Sequence, residues 1–467
     1  MPNPGGTIAL ALLLLTSFST VETTSPDAIR QSPAQTGGGA AGGQTLVTTI
    51  PQDYETPPDG WTPVCSADRT RCAYRARKGA ETFVVVDGTP GSGYEQVRNI
   101  VFSGDGRHIA YAAERKASWM VVTDGKEGPP FQKIDKLMFL GNVPIYLGSR
   151  APEAPAEPDQ KIAGSSDIVG FRSSRHAGIQ IQVVVGDRPD DVPVVEDRFR
   201  SINDLTVSPD GKFYAYVMGV SAGPYGLWLL MVNGREVAED HDIKIFSFTK
   251  DGRVAFSSRT GSPANGRSKV LIGEEVISEH SENIVAGTIG PDGRRLAFVA
   301  CGKAAEGCAL MLDGKVARNG AIENLTFGPN GVTLAYTERQ AGGQSRVIVG
   351  DQAGPLVDAV TGPIIFSADG QRHAYPAKLG AKSVVVADGI VGPTFDAVGG
   401  VHFSEDSKHL AYAATKDGAN HIVLDQVAGR ASFAWVTAPD FDSAGRTLRF
   451  VTQEGRRLWR RSIAVGR

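Results

Sequence analysis

Apolar and polar positions alternate along this chain in short runs that end in turn residues. In "FSGDGRHIAYAA", a strand-like run ends at Phe102, a Ser-Gly-Asp-Gly segment follows, and a second apolar run comes after it. Short apolar runs bounded by Gly, Asp and Pro are typical of β-strands joined by tight turns. The 56 glycines and the missing 3.6-residue period argue against helical repeats.

The same phrase returns at a nearly constant interval. Clear copies begin at Phe102, Val207, Phe248, Ile289, Phe327, Phe366 and Phe403, and weaker copies begin at Cys65, Phe139 and Phe441. The turn glycines at 211, 252, 293, 331 and 370 are separated by 41, 41, 38 and 39 residues. A period near 40 residues predicts a repeat architecture.

A second pattern lies about half a period after the first. A run of mostly apolar residues ends in Asp-Gly or Asn-Gly at Phe83–Gly88, Met120–Gly125, Leu230–Gly234, Leu310–Gly314 and Val384–Gly389. Asp-Gly and Asn-Gly favour type I′ hairpin turns, in which both central residues have positive φ. Two copies continue into the similar tails "GPPFQKI" and "GPTFDAV". Each unit therefore predicts four short antiparallel strands, which is one propeller blade.

The repeated phrase, approximately "FSPDGxxLAY", resembles the WD40-like (PD40) repeats of TolB-type β-propellers. These repeats are also known from the propeller domains of prolyl-oligopeptidase-type enzymes. The resemblance covers the chain from about residue 60 to its end and implies an all-β propeller, but it implies little about function. The hydrolase part of the peptidases and the N-terminal α/β domain of TolB have no counterpart in this sequence.

We predict one propeller over residues 44–467, with 8–10 blades in a single ring and two abutting smaller propellers as the alternative. The segment Arg150–Asp167 predicts a loop insertion. The last unit has three strand-like runs, and the alternating segment Gln44–Ile50 predicts the fourth strand that closes the ring.

The N-terminus predicts export to the periplasm or the exterior. An apolar run, Ile8–Leu15, precedes the small-x-small triplet Ser17–Ser19, so residues 1–25 resemble a signal peptide. The run is too short for a stable membrane span, and no later segment could cross a membrane. Residues 26–43 are rich in Gly and Ala and predict a flexible linker.

The four cysteines form two pairs with the same spacing, Cys65/Cys72 and Cys301/Cys308. Each pair brackets a turn between two strand-like runs, so its members should face each other across a hairpin. We predict two disulfides, and free buried cysteines are the alternative. Neither pair has the spacing of a metal site.

No sequence feature indicates nucleic-acid binding, catalysis or metal binding. The net charge of −3 and the lack of a basic stripe argue against nucleic acid as a partner. HExxH does not occur, and no α/β segment follows the repeats that could hold a nucleophile elbow, so we predict no catalytic residue, no metal and no cofactor. His402 and His409 could share a hairpin face, and His108 occupies the same repeat position as His409. Polar residues on a blade surface are the alternative for all three.

Residues that recur at the same position of each repeat are expected to form turns or to pack between blades. Asp210 occupies the same slot as the aspartates of the other copies, so we predict that it forms a turn with Gly211 at positive φ. Tyr216 recurs in the same way and should pack between blades. Residues that lead into the innermost strands are candidates for a ligand-binding channel mouth, with turn formation as the alternative: Asn99, Asp204, Asp242, Asn283 and Asn324.

These patterns favour an exported, monomeric, non-enzymatic propeller that binds or scaffolds a protein or glycan of the cell envelope through one face. The alternative is a propeller enzyme of lyase or hydrolase type whose active site is dispersed over several blades. Such a site would bring ionisable side chains together in a funnel. A flat face with an exposed apolar patch would instead indicate a scaffold.

Overall fold

The structure is a computed structural model, and it describes residues 43–55, 63–150, 180–186, 188–189, 199–220, 226–261, 265–302 and 307–466. The predicted signal peptide, the linker before Gly43 and the predicted insertion after Arg150 lie outside these ranges. Every helix or strand in the described ranges is a β-strand. Those ranges contain no helix that is long and apolar enough to cross a membrane.

Within the ranges given above, forty-one strands form ten antiparallel sheets, and each sheet is one blade. The first strand, β1 (Gly43–Thr49), belongs to the last blade. Blade 1 contains β2 (Val64–Cys65), β3 (Cys72–Lys78), β4 (Glu81–Val86) and β5 (Thr89–Tyr94). Blade 2 contains β6 (Gln96–Phe102), β7 (Ile109–Arg115), β8 (Ser118–Thr123) and β9 (Lys126–Glu127). Blade 3 contains β10 (Lys133–Leu140), β11 (Val143–Arg150), β12 (Gln180–Val185) and β13 (Arg188–Pro189).

The middle blades follow the same order. Blade 4 contains β14 (Phe199–Val207), β15 (Tyr214–Val220), β16 (Leu227–Val232) and β17 (Arg235–Asp240). Blade 5 contains β18 (Asp242–Phe248), β19 (Val254–Thr260), β20 (Arg267–Ile272) and β21 (Glu275–His280). Blade 6 contains β22 (Asn283–Ile289), β23 (Leu296–Cys301), β24 (Cys308–Leu312) and β25 (Lys315–Asn319).

The last blades vary in their first and outermost strands. Blade 7 contains β26 (Ala321–Phe327), β27 (Leu334–Arg339), β28 (Ser345–Val349) and β29 (Gln352–Ala353). In blade 8 the first strand is divided, giving β30 (Ala359–Val360), β31 (Ile365–Phe366), β32 (His373–Leu379), β33 (Lys382–Ala387) and β34 (Ile390–Val391). Blade 9 contains β35 (Ala397–Phe403), β36 (Leu410–Lys416), β37 (Ala419–Leu424) and β38 (Val427–Ala428). Blade 10 contains β39 (Asp440–Phe441), β40 (Thr447–Glu454), β41 (Arg457–Ala464) and β1.

Ten apolar clusters hold the blades together, one between each pair of neighbours around the ring. The second strand of every blade places one buried aromatic side chain against the preceding blade. These aromatic residues are Tyr74, Tyr111, Tyr146, Tyr216, Phe256, Phe298, Tyr336, Tyr375, Tyr412 and Phe450. The prediction that Tyr216 packs between blades is confirmed, and the "LAY" phrase is the sequence signal of this contact.

The ring is closed by β1, as the sequence predicts. Strand β1 pairs antiparallel with β41, with Gly43 opposite Ser462 and Thr49 opposite Arg457. The Arg456 guanidinium donates to the carbonyl oxygen of Tyr54 at 2.7 Å and to that of Ile50 at 3.2 Å. A cluster shared by blades 10 and 1 completes the circle. The fold is therefore one ten-bladed propeller, and the alternative of two smaller propellers is excluded.

The Ser-x-Asp-Gly turns have the geometry that the sequence predicts. The Ser208 hydroxyl donates to Asp210 Oδ1 at 2.6 Å, and the backbone N–H of Lys212 donates to the same oxygen at 3.1 Å. Gly211 has φ 69°. These hydrogen bonds lower the pKa of Asp210, with the Ser208 bond as the largest cause. Asp210 is thus confirmed as a turn former.

The Asp-Gly turns of the second pattern are also confirmed, with φ 50° at Asp124 and 83° at Gly125. Asp124 Oδ1 accepts the backbone N–H of Ile109 at 3.0 Å, and Oδ2 contacts His108 Nδ1 at 2.7 Å. The same contact joins His409 and Asp425 at 2.7 Å. Each aspartate therefore ties the outer hairpin to the second strand, and both histidines belong to this link.

Both predicted disulfides are present. Cys65 at the end of β2 bonds to Cys72 at the start of β3, and Cys301 at the end of β23 bonds to Cys308 at the start of β24. In each case the two residues are direct partners in the strand register. The first disulfide closes an inner hairpin beside the channel, and the second closes a hairpin at the opposite end of its blade.

Candidate functional site

The first strands of the blades surround a central channel, and most of them are bulged. In blades 2 to 7 and 9, this strand has one more residue than its partner near the middle of the pairing. Five bulges contain a residue at positive φ: Asn99 (56°), Lys136 (49°), Asp204 (53°), Asn324 (56°) and Gly400 (62°). A bulge redirects side chains and is often found next to functional sites. The bulges are therefore the part of the channel wall where blades differ in chemistry.

The structure places the five predicted channel-mouth residues at two levels. Asn99, Asp204 and Asn324 occupy equivalent bulges within their strands, whereas Asp242 and Asn283 are the first residues of β18 and β22. The Asn324 side-chain amide donates to Thr337 Oγ1 at 3.3 Å, and Asp242 accepts a hydrogen bond from the Lys244 ammonium. Among these five, Asp204 lines the cavity described next. Ligand binding by the set stays a prediction.

A cavity of about 1380 Å³ occupies one side of the channel. The first strands of blades 3 to 6 and the inner turns of blades 2 to 4 line it. Its apolar wall includes Met138, Ile245, Phe246 and Val285. This cavity combines the inner strands of four blades into one concave surface that a ligand could enter.

A close approach between blades 5 and 6 shapes this wall. The Phe246 ring lies over Gly287, where an added Cβ would come within 2.5 Å of a ring carbon. Any larger residue at this position would push the ring away from β22. Gly287 therefore gives the cavity part of its apolar surface, because it allows the Phe246 ring to lie against β22.

Two lysines and several carboxylates face the same cavity. Lys244 is paired with Asp242 on its own strand. Lys136 and Asp204 lie in equivalent bulges of neighbouring blades, and both line the cavity. Within the part of the chain that the structure describes, neither of them forms an ion pair or a side-chain hydrogen bond. These two charges are available to a ligand.

A second group of ionisable side chains, the seam cluster, lies where blades 9, 10 and 1 meet. It consists of Arg69, His402, Asp440 and Arg449. Arg449 Nη2 is 3.3 Å from Asp440 Oδ2, and Arg69 Nη2 donates to the carbonyl oxygen of Ala438 at 3.2 Å. Arg69 has φ 58° in the turn slot that glycine occupies in most other blades.

Desolvation by the surrounding protein is the main cause that lowers the pKa of His402, although the residue keeps an exposed surface. The Asp440 carboxylate opposes this shift and the Arg69 guanidinium adds to it. The imidazole is therefore neutral near pH 7. Sequence reasoning named His402 but missed its three neighbours. The only signal was "SADR", in which Arg69 replaces the turn glycine.

Among the described residues, no group of three or more His, Cys, Asp or Glu side chains is arranged to hold a metal ion. Arginine supplies half of the seam cluster, and guanidinium groups are not metal ligands in proteins. What the seam cluster offers is one neutral imidazole, one carboxylate and two cations on the channel wall.

Comparison with known proteins finds only distant structural likenesses. The sequence matches no protein-family model and no curated protein. Among solved structures, the chain is similar to the Dos1 propeller at 11% identity, covering 90% of this chain and 94% of that one, with a TM-score of 0.32. It is similar to TolB from Acinetobacter baumannii at 15% identity, covering 54% and 80%, with a TM-score of 0.25.

Prolyl oligopeptidase B from Galerina marginata is similar at 12% identity, with coverage of 77% of this chain and a TM-score of 0.35. The chain spans 55% of that enzyme's length. All three TM-scores are below 0.5, so neither architecture nor function is inferred from these likenesses.

Proposed function

We propose that this protein is an exported binding module that takes an extended segment of a partner protein into the channel cavity. The cavity itself carries this proposal. At about 1380 Å³ it exceeds the roughly 300–1000 Å³ of ordinary small-molecule pockets, and it combines an apolar wall with two lysines and three aspartates. A folded domain is too large to enter the cavity, and a metabolite would fill only part of it. A chain segment matches its size.

The wall chemistry favours a peptide over a glycan. Met138, Ile245 and Val285 offer no hydrogen-bond partner to sugar hydroxyls, whereas apolar side chains of a peptide bury area against them. Asn203 and Thr206 in β14 supply polar groups for a peptide backbone. A mixed wall of this kind suits a segment in which apolar and polar residues alternate.

Export rests on the resemblance of residues 1–25 to a signal peptide and on the two disulfides. Disulfides persist in the periplasm and outside the cell and are rare in the reducing cytosol. A periplasmic or extracellular location places the partner in the cell envelope. Cleavage of the leader and fractionation of the mature chain are the direct checks.

The experiment is capture of envelope proteins and, separately, cell-wall glycans by the mature chain with a photocrosslinker at Asn142, a cavity-lining residue that the variants leave in place. Ala286→Trp fills the cavity and Thr206→Arg narrows it from another blade, so each variant should abolish capture. Ala321→Trp, at the exposed first residue of β26, is the matched control and should retain it. Capture that survives both cavity variants, or crosslinks only to glycans, contradicts the proposal.

The seam cluster supports a second candidate, a propeller enzyme whose site is dispersed over three blades. A neutral His402 beside Asp440 and two guanidiniums provides a base and charge stabilisation in one place. Turnover of a glycan or peptide by the mature chain, abolished by His402→Ala and Asp440→Asn, would establish this function. Activity that survives both substitutions, or no turnover of either substrate, excludes it.

A further inference from the structure

Lys136 is unusual among the residues that occupy the bulge position at positive φ. Blades 2, 4, 7 and 9 have Asn, Asp, Asn and Gly there, which are the residue types that adopt left-handed backbone most readily. Lys136 has φ 49°. Unlike Asn and Asp, lysine has no short polar side chain that could hydrogen-bond to the local backbone in this conformation. Strained residues of this kind cluster at binding and active sites, where function offsets the strain.

The surroundings of Lys136 indicate what its ammonium can do. The side chain is partly buried and lines the cavity beside Met138. It has no ion-pair partner within the described ranges, unlike Lys244, which is paired with Asp242. A partly buried cation attracts an anion more strongly than an exposed one does, because solvent screens it less.

We propose that Lys136 binds a single carboxylate of the peptide ligand and that Asp204 accepts an N–H group of the same segment. This inference rests on the proposed function of the channel cavity. The two side chains occupy equivalent bulges of adjacent blades, so one extended segment can reach both. The apolar wall formed by Met138 and Ile245 then takes a neighbouring apolar side chain.

The other charges of the cavity limit the ligand to one carboxylate. Asp105, Asp204 and Asp210 all line the cavity and would repel a strongly acidic segment. A segment without any carboxylate would leave the Lys136 ammonium partly desolvated and unpaired. The ligand class is therefore a mostly apolar peptide with one acidic group, either an Asp or Glu side chain or a free C-terminus.

The test uses acetylated hexapeptides that alternate Leu, Phe and Ser and have Glu, Gln or Lys at one central position, with amidated C-termini. A fourth peptide has the Gln sequence and a free C-terminal carboxylate. Binding to the mature full chain is measured by fluorescence anisotropy at two salt concentrations. We expect the Glu peptide or the free-acid peptide to bind at least about tenfold more tightly than the Gln amide, with the difference reduced at high salt.

Lys136→Asn separates a binding role from a structural one. Asn fits positive φ, so this variant should raise Tm by about 1–2 °C while it removes the preference for the carboxylate. Lys116→Asn is the matched control, because Lys116 also has positive φ (51°) but lies in the exposed turn between β7 and β8. It should raise Tm similarly and leave binding unchanged.

Each outcome decides between the alternatives. A lower Tm for Lys136→Asn, or an unchanged preference for the carboxylate, overturns the inference. If the Glu, Gln and Lys peptides bind equally and Ala286→Trp abolishes their binding, the inference is overturned and the proposed function stays intact. Binding of no peptide, or binding that Ala286→Trp does not affect, overturns both. Polygalacturonate is measured in the same way as an acidic glycan. If it binds, the binding depends on Lys136 and no peptide binds, then the ligand is an acidic glycan and the proposed ligand class is wrong.

Discussion

Asp210 illustrates what a repeated residue does in this protein. Its carboxylate accepts hydrogen bonds from Ser208 and from the Lys212 backbone, and every part of that arrangement lies within a few residues of chain. The slot accepts Asn as well, because Asn330 Oδ1 receives the N–H of Val332 at 2.9 Å in the same way. Such residues were interpreted correctly from sequence, since turn chemistry depends on near neighbours.

The turn slot allows a direct comparison of two substitutions. Asp210→Asn should leave Tm nearly unchanged, because the amide oxygen accepts the same backbone N–H. Asp210→Ala should lower Tm, because Ser208 and the Lys212 N–H both lose their acceptor. Thermal unfolding followed by circular dichroism checks the difference, and equal Tm values for the two variants would contradict it.

The turn aspartates also predict loss of stability in acid. Hydrogen bonds from Ser or Thr, as the largest cause, lower the pKa of Asp105, Asp210, Asp251, Asp369 and Asp406. For each of these carboxyls the folded-state pKa lies below the unfolded value of 3.8. Such a group stabilises the fold fully when the pH is above 3.8, and this contribution is lost as the pH falls through the folded-state pKa.

We therefore expect the urea midpoint to decline slightly below about pH 6.5, where the lowered pKa of His402 acts, and to fall steeply below about pH 4. Urea unfolding at pH 7, 5, 4 and 3 measures this change in the midpoint. A midpoint that rises on acidification would show that these carboxylates do not stabilise the fold.

At the scale of elements, each blade is assembled from two hairpins whose turns the sequence specifies. Departures are local and have local causes. Blade 3 joins β10 to β11 through Gly141 and Asn142 alone, and blade 8 divides its first strand around Gly362 and Pro363, where proline removes a backbone donor. The bulges were not predicted, because a bulge depends on how the strand meets the channel as well as on its own residues.

The blade 6 disulfide should stabilise a single hairpin. Replacing Cys301 and Cys308 by Ser should lower the free energy of unfolding by roughly 2–3 kcal/mol through the entropy of the released loop. Urea unfolding of the double variant, compared with the oxidised parent, measures the loss. Because this bond closes the far end of the blade, peptide binding in the channel should persist, and loss of binding would contradict that separation.

At the scale of the whole molecule, stability depends on closing the ring. Each blade packs two faces against its neighbours, so an open ring would expose the faces that now meet between blades 10 and 1. Strand β1 gives blade 10 its outermost strand from the opposite end of the sequence. Arg456 fixes the chain after β1 through carbonyl oxygens at Ile50 and Tyr54.

Removing β1 should therefore weaken the whole ring. A chain that begins after Ile50 should have a clearly lower Tm than a chain that begins at Gly43, and Arg456→Ala in the longer chain should have an intermediate value. Differential scanning calorimetry of the three chains makes the comparison. Equal Tm values would show that β1 is dispensable for closure.

The sequence by itself determined the blade: its four strands, its two turn types, its buried aromatic residue and both disulfides. All of these depend on residues close together in the chain, and the forty-residue period repeats them. Tertiary structure decided the number of blades in one ring, the bulges, the cavity and the seam cluster. Arg69 and His402 are separated by most of the chain, and they share one electrostatic environment only because ten blade-to-blade contacts bend the chain through a full circle. Local sequence patterns do not show which distant residues meet when the ring closes, so only the folded structure identifies the residues that face the channel.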